Sequence, residues 1–457
     1  MTQDGPFDPK KSSFSLRRRV EKGGAVLIAG FGFRQFLRLG SNLILTRLLM
    51  PEAFGLMAAA ISVNVLAVML TDIGLSSSII RSHNSHDPEF LRTAWTMKII
   101  RNFIIWGVIA LLAAGVYTLA RIGAVPVEST FADPRLPWIM VLTGVQLLIG
   151  AFGSVNKVIA DRQLNVARSV GFEVVAQIVA TIVTVGAAFS GFGVWSFVMG
   201  ILASAAYSSI FTHILFPGPR MGLRLVREHV LEIFNFGKWI ILASFFGFMT
   251  NKGDQMIFGW AMESEQFGLY AVSSIWINAG FLFLGTITRR LFYPAFSELL
   301  RDRPENLAQA YKKGRLVIDA GAALIVVSAL LFSDPILKMI YPETFSGVPF
   351  YLKLQLPVIL LLPYRLLNYA ILSSGASKQF TLITFMTGIT ALFATPAVIW
   401  AWDIKAGVIF FSCATIASLP SAWRIAGKIM PIDWRVESRL LILCAILVAL
   451  LIGMEPG

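Results

Sequence analysis

Arg34 and Arg38 lie inside Gly23–Leu49, a run long and apolar enough to cross a bilayer. At ~1.5 Å per residue, a helix starting near Gly24 carries Arg34 roughly 15 Å in, close to the membrane midplane. A cation at that depth costs at least ~2.5–3.5 kcal/mol. Such charges face a bundle interior or a watery cavity, and a spacing of four puts both side chains on one helix face. The chemistry they offer is attraction for an anionic group, strengthened where the dielectric is low. The competing reading pairs them with Asp72 on the next span. Snorkelling suits span ends and fits Arg34 badly.

Further polar side chains interrupt other apolar runs. Asp72, near the end of the second span, reads as a structural charge partner or as an ion-coupling site. Asn251, Lys252, Asp254 and Gln255 cluster in the seventh span, as substrate or cation contacts or as a patch closed internally by Lys252 and Asp254. Arg365 and Asn368 stand three apart in the tenth span and share a face, which makes Arg365 a cavity candidate. Burying Glu173, on the fifth span, requires a proton or a basic partner; a proton- or sodium-linked role follows from the first. Arg289 and Arg290 end the eighth span, as topology anchors or as guides for anionic headgroups. His83 and His86 have no further ligands nearby, so no metal site is expected. Cys413 and Cys444 read as packing residues. The chain has no phosphate-loop, H-E-x-x-H or C-x-x-C motif, so it is not read as an enzyme.

These residues need membrane helices to position them. The sequence is 56% hydrophobic and 14% charged, far from the ~25% charge of soluble domains. Thirteen spans (12–14) are predicted: Gly23–Leu49, Phe54–Ile80, Ile99–Ala120, Leu136–Val155, Val170–Phe189, Val194–Phe216, Ile233–Trp260, Leu269–Arg289, Leu316–Phe332, Phe350–Ser373, Phe380–Trp400, Ala406–Trp423 and Leu440–Met454. Backbone groups in lipid must be satisfied internally, so the spans are helices and the fold is an all-α integral membrane protein. With the N-terminus in the cytoplasm, the N-terminal segment and the inward loops with their adjoining span ends hold 29 of the 39 basic residues, and the outward loops with theirs hold 6. That asymmetry sets the orientation. It accounts for the net charge of +13 without a nucleic-acid partner. Trp195, Trp239, Trp260, Trp400 and Trp402 fall near span ends, as in an interfacial belt.

The halves repeat. Phe54-Gly55-Leu56-Met57-Ala58 follows the first span, and Phe267-Gly268-Leu269-Tyr270-Ala271 follows the seventh. Both halves then start from the cytoplasm, as parallel repeats around a cleft. The division is a cytoplasmic segment 1–22, an N-lobe 23–216, a linker 217–232, a C-lobe 233–428 and an accessory span within 429–457.

Five stretches resemble one family. They are Leu45-Thr46-Arg47-Leu48-Leu49-Met50-Pro51-Glu52-Ala53-Phe54-Gly55, Asp72-Ile73-Gly74-Leu75-Ser76, Phe192-Gly193-Val194-Trp195-Ser196, Asn251-Lys252-Gly253-Asp254-Gln255-Met256-Ile257-Phe258-Gly259 with Phe267-Gly268-Leu269-Tyr270, and Leu291-Phe292-Tyr293-Pro294-Ala295-Phe296-Ser297. Together, over roughly residues 20–430, they look like the polysaccharide-exporter branch of the multidrug/oligosaccharidyl-lipid/polysaccharide flippase superfamily, most of all its colanic-acid exporters. The resemblance implies two six-helix lobes around a central cavity and alternating access. It implies undecaprenyl-pyrophosphate-linked oligosaccharides as substrates, moved across a bacterial inner membrane for surface or exopolysaccharide synthesis. It implies no cofactor, a sodium or proton gradient as the drive, and membrane lipids, a polysaccharide polymerase and glycosyltransferases as partners. The substrate-side candidates are then Arg34, Arg38, Asn251, Lys252, Asp254 and Arg365, with Asp72 and Glu173 as coupling or charge partners. One span follows the twelve-helix core, where many relatives have two. The alternatives are a multidrug or other amphiphile exporter, which should favour cavity carboxylates, and a membrane-embedded polymerase, which usually needs a larger outer loop.

Overall fold

The computed structural model describes residues 29–30, 32–71, 75, 78–79, 82, 87–162, 166–234, 248–249 and 252–454. Among them there is no strand. The first half carries α1 (32–45), α2 (Pro51–Leu70), α3 (Pro88–Arg121), α4 (Leu136–Ala151), α5 (Val166–Phe189) and α6 (Trp195–Leu215). The second carries α7 (Gly253–Ala261), α8 (Ser264–Ile287), α9 (Leu307–Ile340), the interrupted α10 (Glu343–Ser373), α11 (Ser377–Ala401), α12 (Ile404–Ala426) and α13 (Trp434–Ile452).

Nine helices among the described residues are long and apolar enough to cross a membrane: α2, α3, α5, α6 and α8 to α12. The chain is therefore a multi-pass membrane protein. Helix α4 is shorter at 16 residues. Helix α13 opens with Arg435, Glu437 and Arg439. The expected first and seventh spans lie partly outside the described residues.

Two helices extend beyond their apolar runs. Helix α3 starts at Pro88 rather than Ile99, and α9 at Leu307 rather than Leu316. Hydropathy detects only the part of a helix that lies in lipid, whereas these polar extensions pack against protein. Phe90, Leu91 and Ala94 on α3 join Leu75, Ile79, Val155 and Ile233 in one buried cluster. Prolines account for two local deformations. The π-helical turns Thr288–Phe292 and Thr390–Ala394 run up to Pro294 and Pro396, each of which removes a backbone donor from the ladder. Helix α10 is broken more severely, at Pro357 and Pro363, into Val348–Gln355, Pro357–Leu360, a 3-10 turn Leu362–Tyr364 and Arg365–Ser373.

The chain divides into two compact units. One contains 1–49, 67–114 and 137–243; the other contains 50–66, 115–136 and 244–457. Chain order and spatial grouping thus interleave, because the start of α2 belongs with the second unit. The reason is the repeated motif. A Cβ on Gly55 would stand 2.9 Å from the Gly268 nitrogen, and one on Gly268 would stand 3.2 Å from the Gly55 nitrogen. The two glycines let the backbones of α2 and α8 touch, as small residues do where membrane helices cross closely. Beside this crossing, Arg135 pairs with Glu52 and with Asp133. Trp400 and Trp402 are 90% and 75% exposed, as interfacial residues would be.

Candidate functional site

In the first unit, α1 carries Arg34 and Arg38 one turn apart. Gly30 precedes Arg34 by one further turn, and a Cβ there would collide with Val170 of α5. That close approach sets Arg34 against Glu173, one turn beyond Val170. Arg34 Nη1 donates to Glu173 Oε2. Lys157, on the short helix Asn156–Arg162, donates to Glu173 Oε1 at 3.1 Å and lies 3.2 Å from Asp161. Two cations therefore share one carboxylate, each on its own oxygen. The Arg34 Nε–H is buried and has no hydrogen-bond partner. Arg38 is exposed. Glu173 is half-buried, and the basic partner expected for it is supplied twice over. Asp72, the partner proposed for the arginines from sequence, lies outside the described residues.

The second unit holds the polar patch of the seventh span. Lys252 caps α7 and donates to Gln255 Oε1 at 3.2 Å. Asp254 instead accepts from the Tyr270 hydroxyl at 2.9 Å. Tyr270 is the position at which the two five-residue repeats differ, Met57 standing in the first. The second copy of the repeat thus supplies the half-buried aspartate with a donor that the first lacks. Deeper on α8, Ser274 donates to Gln355 Oε1 at 2.9 Å and Gln355 donates to Ser273 at 2.6 Å, tying α8 to α10. Asn251 lies outside the described residues. Arg289, in the π turn after α8, is exposed, and Arg290 follows it in the same turn.

Arg365 begins the last segment of α10. Its guanidinium carbon stands 4.3 Å from the centroid of the Phe281 ring. With Asn368 and Tyr369 it lines a cavity of about 360 Å³ within the second unit. Arg365, Asn368 and Tyr369 are spaced i, i+3 and i+4 and share one helix face.

Sequence reasoning missed a fourth cluster. Arg315 falls just outside the predicted span Leu316–Phe332, but it is fully buried on α9. Its Nε lies 3.1 Å from Asp319 Oδ1, its Nη1 4.0 Å from Glu437 Oε2, and its guanidinium 4.2 Å from the Tyr364 ring centroid. Glu437, on α13, also accepts from Tyr311 at 2.6 Å and from Trp423 Nε1 at 2.9 Å. The i, i+4 spacing of Arg315 and Asp319 was the available signal. The two cysteines stay unbonded, with Sγ atoms 4.0 Å apart.

A family model described as polysaccharide biosynthesis protein matches residues 44–348. The succinoglycan biosynthesis transport protein ExoT of Rhizobium meliloti (strain 1021) is 20% identical over 291 residues, 63% of this chain and 55% of that protein. The match thus spans about half the length of that relative. The lipid II flippase MurJ in an inward closed conformation superposes with a TM-score of 0.67 at 12% identity, over 95% of this chain and 94% of that one. A multidrug resistance MATE family transporter of the MOP superfamily, inward-facing, gives 0.63 at 13% identity over 90% and 99%. A MOP superfamily transporter from Pyrococcus furiosus Vc1 (DSM3638), described by the reversed polarity of its binding pocket, gives 0.53 at 16% over 90% and 95%. At these identities the likeness is one of fold.

Proposed function

The chain belongs to the polysaccharide biosynthesis protein family, and from that premise we propose that it flips undecaprenyl-pyrophosphate-linked oligosaccharide repeat units across a bacterial inner membrane. It does so by alternating access, with its N-terminus in the cytoplasm, and feeds surface or exopolysaccharide synthesis. A polymerase and glycosyltransferases are its functional partners, on either side of the transport step. The observation that carries the reading is the shared carboxylate of the first unit. Arg34 is a cation on an apolar helix whose counter-ion, Glu173, has a second cation at Lys157. An incoming diphosphate can take over Arg34 while Glu173 keeps Lys157, which it shares with Asp161, so the carboxylate is not left without a cation. Arg38, one turn further along α1, extends the same anion-attracting face. Lys252 and Asp254 are further proposed substrate contacts, and Arg289 and Arg290 the proposed guides for headgroups.

A multidrug exporter of organic cations would be served by uncommitted carboxylates. Glu173 and Asp254 are instead engaged by Arg34, Lys157 and Tyr270, which favours the anionic substrate. Sodium or proton coupling is proposed at Glu173, where release from Arg34 frees an oxygen for either ion. The test is polymer export in cells carrying Arg34→Ala or Arg38→Ala at normal protein abundance. Export should fall at least tenfold for Arg34→Ala, with lipid-linked precursor accumulating on the cytoplasmic face. Unchanged export in both variants would sink the assignment. Glu173→Gln should remove the ion dependence of whatever export remains.

A further inference from the structure

We infer that the cavity against Arg365 is a binding site for one phosphoryl-class anion, separate from the Arg34 cluster. Arg34 and Arg315 both face carboxylates. Among the described residues no carboxylate lies within ion-pairing distance of Arg365, and none lines its cavity. One face of the guanidinium is covered by the Phe281 ring. A ring on the face leaves the N–H groups free in the plane, the fork that matches two oxygens of a phosphate.

The neighbouring side chains complete a donor set. Asn368 brings an amide NH₂ and Tyr369 a hydroxyl to the same cavity wall, one turn along the helix from Arg365. By contrast, the Thr384 and Thr387 hydroxyls are committed to the backbone carbonyls of Phe380 and Ile383. The break in α10 also contributes. Leu361 and Leu362, where the helix is interrupted, line the cavity, and Arg365 starts the new segment. Interrupted membrane helices commonly aim the positive end of a half-helix at an anionic group. A volume of about 360 Å³ falls at the lower end of the ~300–1,000 Å³ typical of small-molecule sites. It suits a phosphate, a diphosphate or a phospholipid headgroup rather than a whole oligosaccharide.

The site therefore recognises a phosphoryl group, free or carried by a lipid. It does not depend on the flippase reading, since it needs only a cation without an acid in a donor-lined cavity. The test uses the full chain in nanodiscs of zwitterionic lipid, followed by intrinsic tryptophan fluorescence on heating. Pyrophosphate is titrated in the Arg34→Gln background, which removes uptake at the Arg34 cluster: it should still raise the midpoint saturably there, and adding Arg365→Gln should weaken the apparent affinity at least tenfold. If pyrophosphate is silent but nanodiscs containing phosphatidylglycerol raise the midpoint of the wild type and not of Arg365→Gln, the site holds with a lipid headgroup as its ligand. Asn368→Asp covers the case in which Arg365→Gln does not fold. A carboxylate three residues from Arg365 should stabilise the unliganded protein and abolish the response to either probe. The inference is overturned if neither probe shifts the wild type, or if Arg365→Gln or Asn368→Asp responds like the wild type.

Discussion

The contact between Gly55 and Gly268 yields the most quantitative prediction. A methyl group on Gly55 would stand 2.9 Å from the Gly268 nitrogen and closer still to the Ser264 carbonyl oxygen. A methyl on Gly268 would stand 2.5 Å from the Pro51 carbonyl carbon and closer still to its oxygen. Ordinary contact begins at 3.4 Å, so α2 and α8 must part by on the order of 1 Å, and the obstructing atoms are backbone that cannot rotate away. Overpacking of this kind costs ~1–3 kcal/mol. Replacing glycine by alanine inside a helix returns only ~0.5–1 kcal/mol of propensity. The clash therefore wins, and Gly268→Ala should be hurt at least as much as Gly55→Ala. Gly285, on the same helix α8, has no atom within 4 Å of its would-be Cβ and provides the control. Thermal unfolding in detergent should rank Gly285→Ala at or above the wild type and both motif variants below it. If Gly55→Ala and Gly268→Ala unfold with the control, the close crossing of the two repeats is wrong.

The C-terminal helix should depend on Glu437. Removing it by Glu437→Ala leaves Arg315 with Asp319 as its one remaining acid and takes the acceptor from Tyr311 and Trp423, a loss approaching the ~3–5 kcal/mol of breaking a buried ion pair. Limited proteolysis should then cut between α12 and α13 faster than in the wild type; equal protection would refute the anchor. Asp433, in the connection before α13, gives a pH signature. The Lys312 ammonium beside it, helped by the Arg435 and Val436 backbone N–H groups, holds its carboxyl below the usual range. A depressed carboxyl contributes stability above its unfolded value of ~3.9 and loses it as pH falls through the lower folded value. The midpoint of Asp433→Asn should therefore trail the wild type above pH ~4 and converge with it in stronger acid; a constant offset at all pH values would contradict the pairing.

Different parts of this architecture were legible to different degrees. The class of fold could be read because lipid leaves the backbone few choices, and the orientation reading used only where lysines and arginines fall. Arg34 stood out for the same reason, since a charge in an apolar run is costly wherever its partner lies. The identity of that partner could not be read. Glu173 is 139 positions away, and only the packing of Gly30 on Val170 brings it into register. The requirement that Glu173 find a base was legible from its place in an apolar run, but Lys157 belongs to a short helix that hydropathy does not register. Arg315 failed in the opposite way. It sits one residue before the apolar run of α9, so its charge was assigned to a loop, whereas the helix continues beneath α13 and buries it completely.

The cations on membrane helices separate by what compensates them, and this bears on function more than their number does. Arg315 has two acids and an aromatic face, all held in one unit by side chains from α9, α10, α12 and α13. A cation so enclosed is part of the fold, and removing it should unfold before it disables. Arg34 has one acid that is itself shared, so its compensation can be handed to a ligand. Arg365 has a ring and a cavity but no acid. An anion would have least to displace at Arg365, would exchange with a carboxylate at Arg34, and would find no opening at Arg315. That order predicts how the three differ under alanine substitution: Arg315→Ala should cost most in stability, Arg34→Ala should lose export with little loss of fold, and Arg365→Ala should be tolerated or stabilising while losing the response to phosphoryl anions. Thermal midpoints and export measured on the same three variants test it, and a common ranking in both assays would remove the distinction between a structural and a receptive charge.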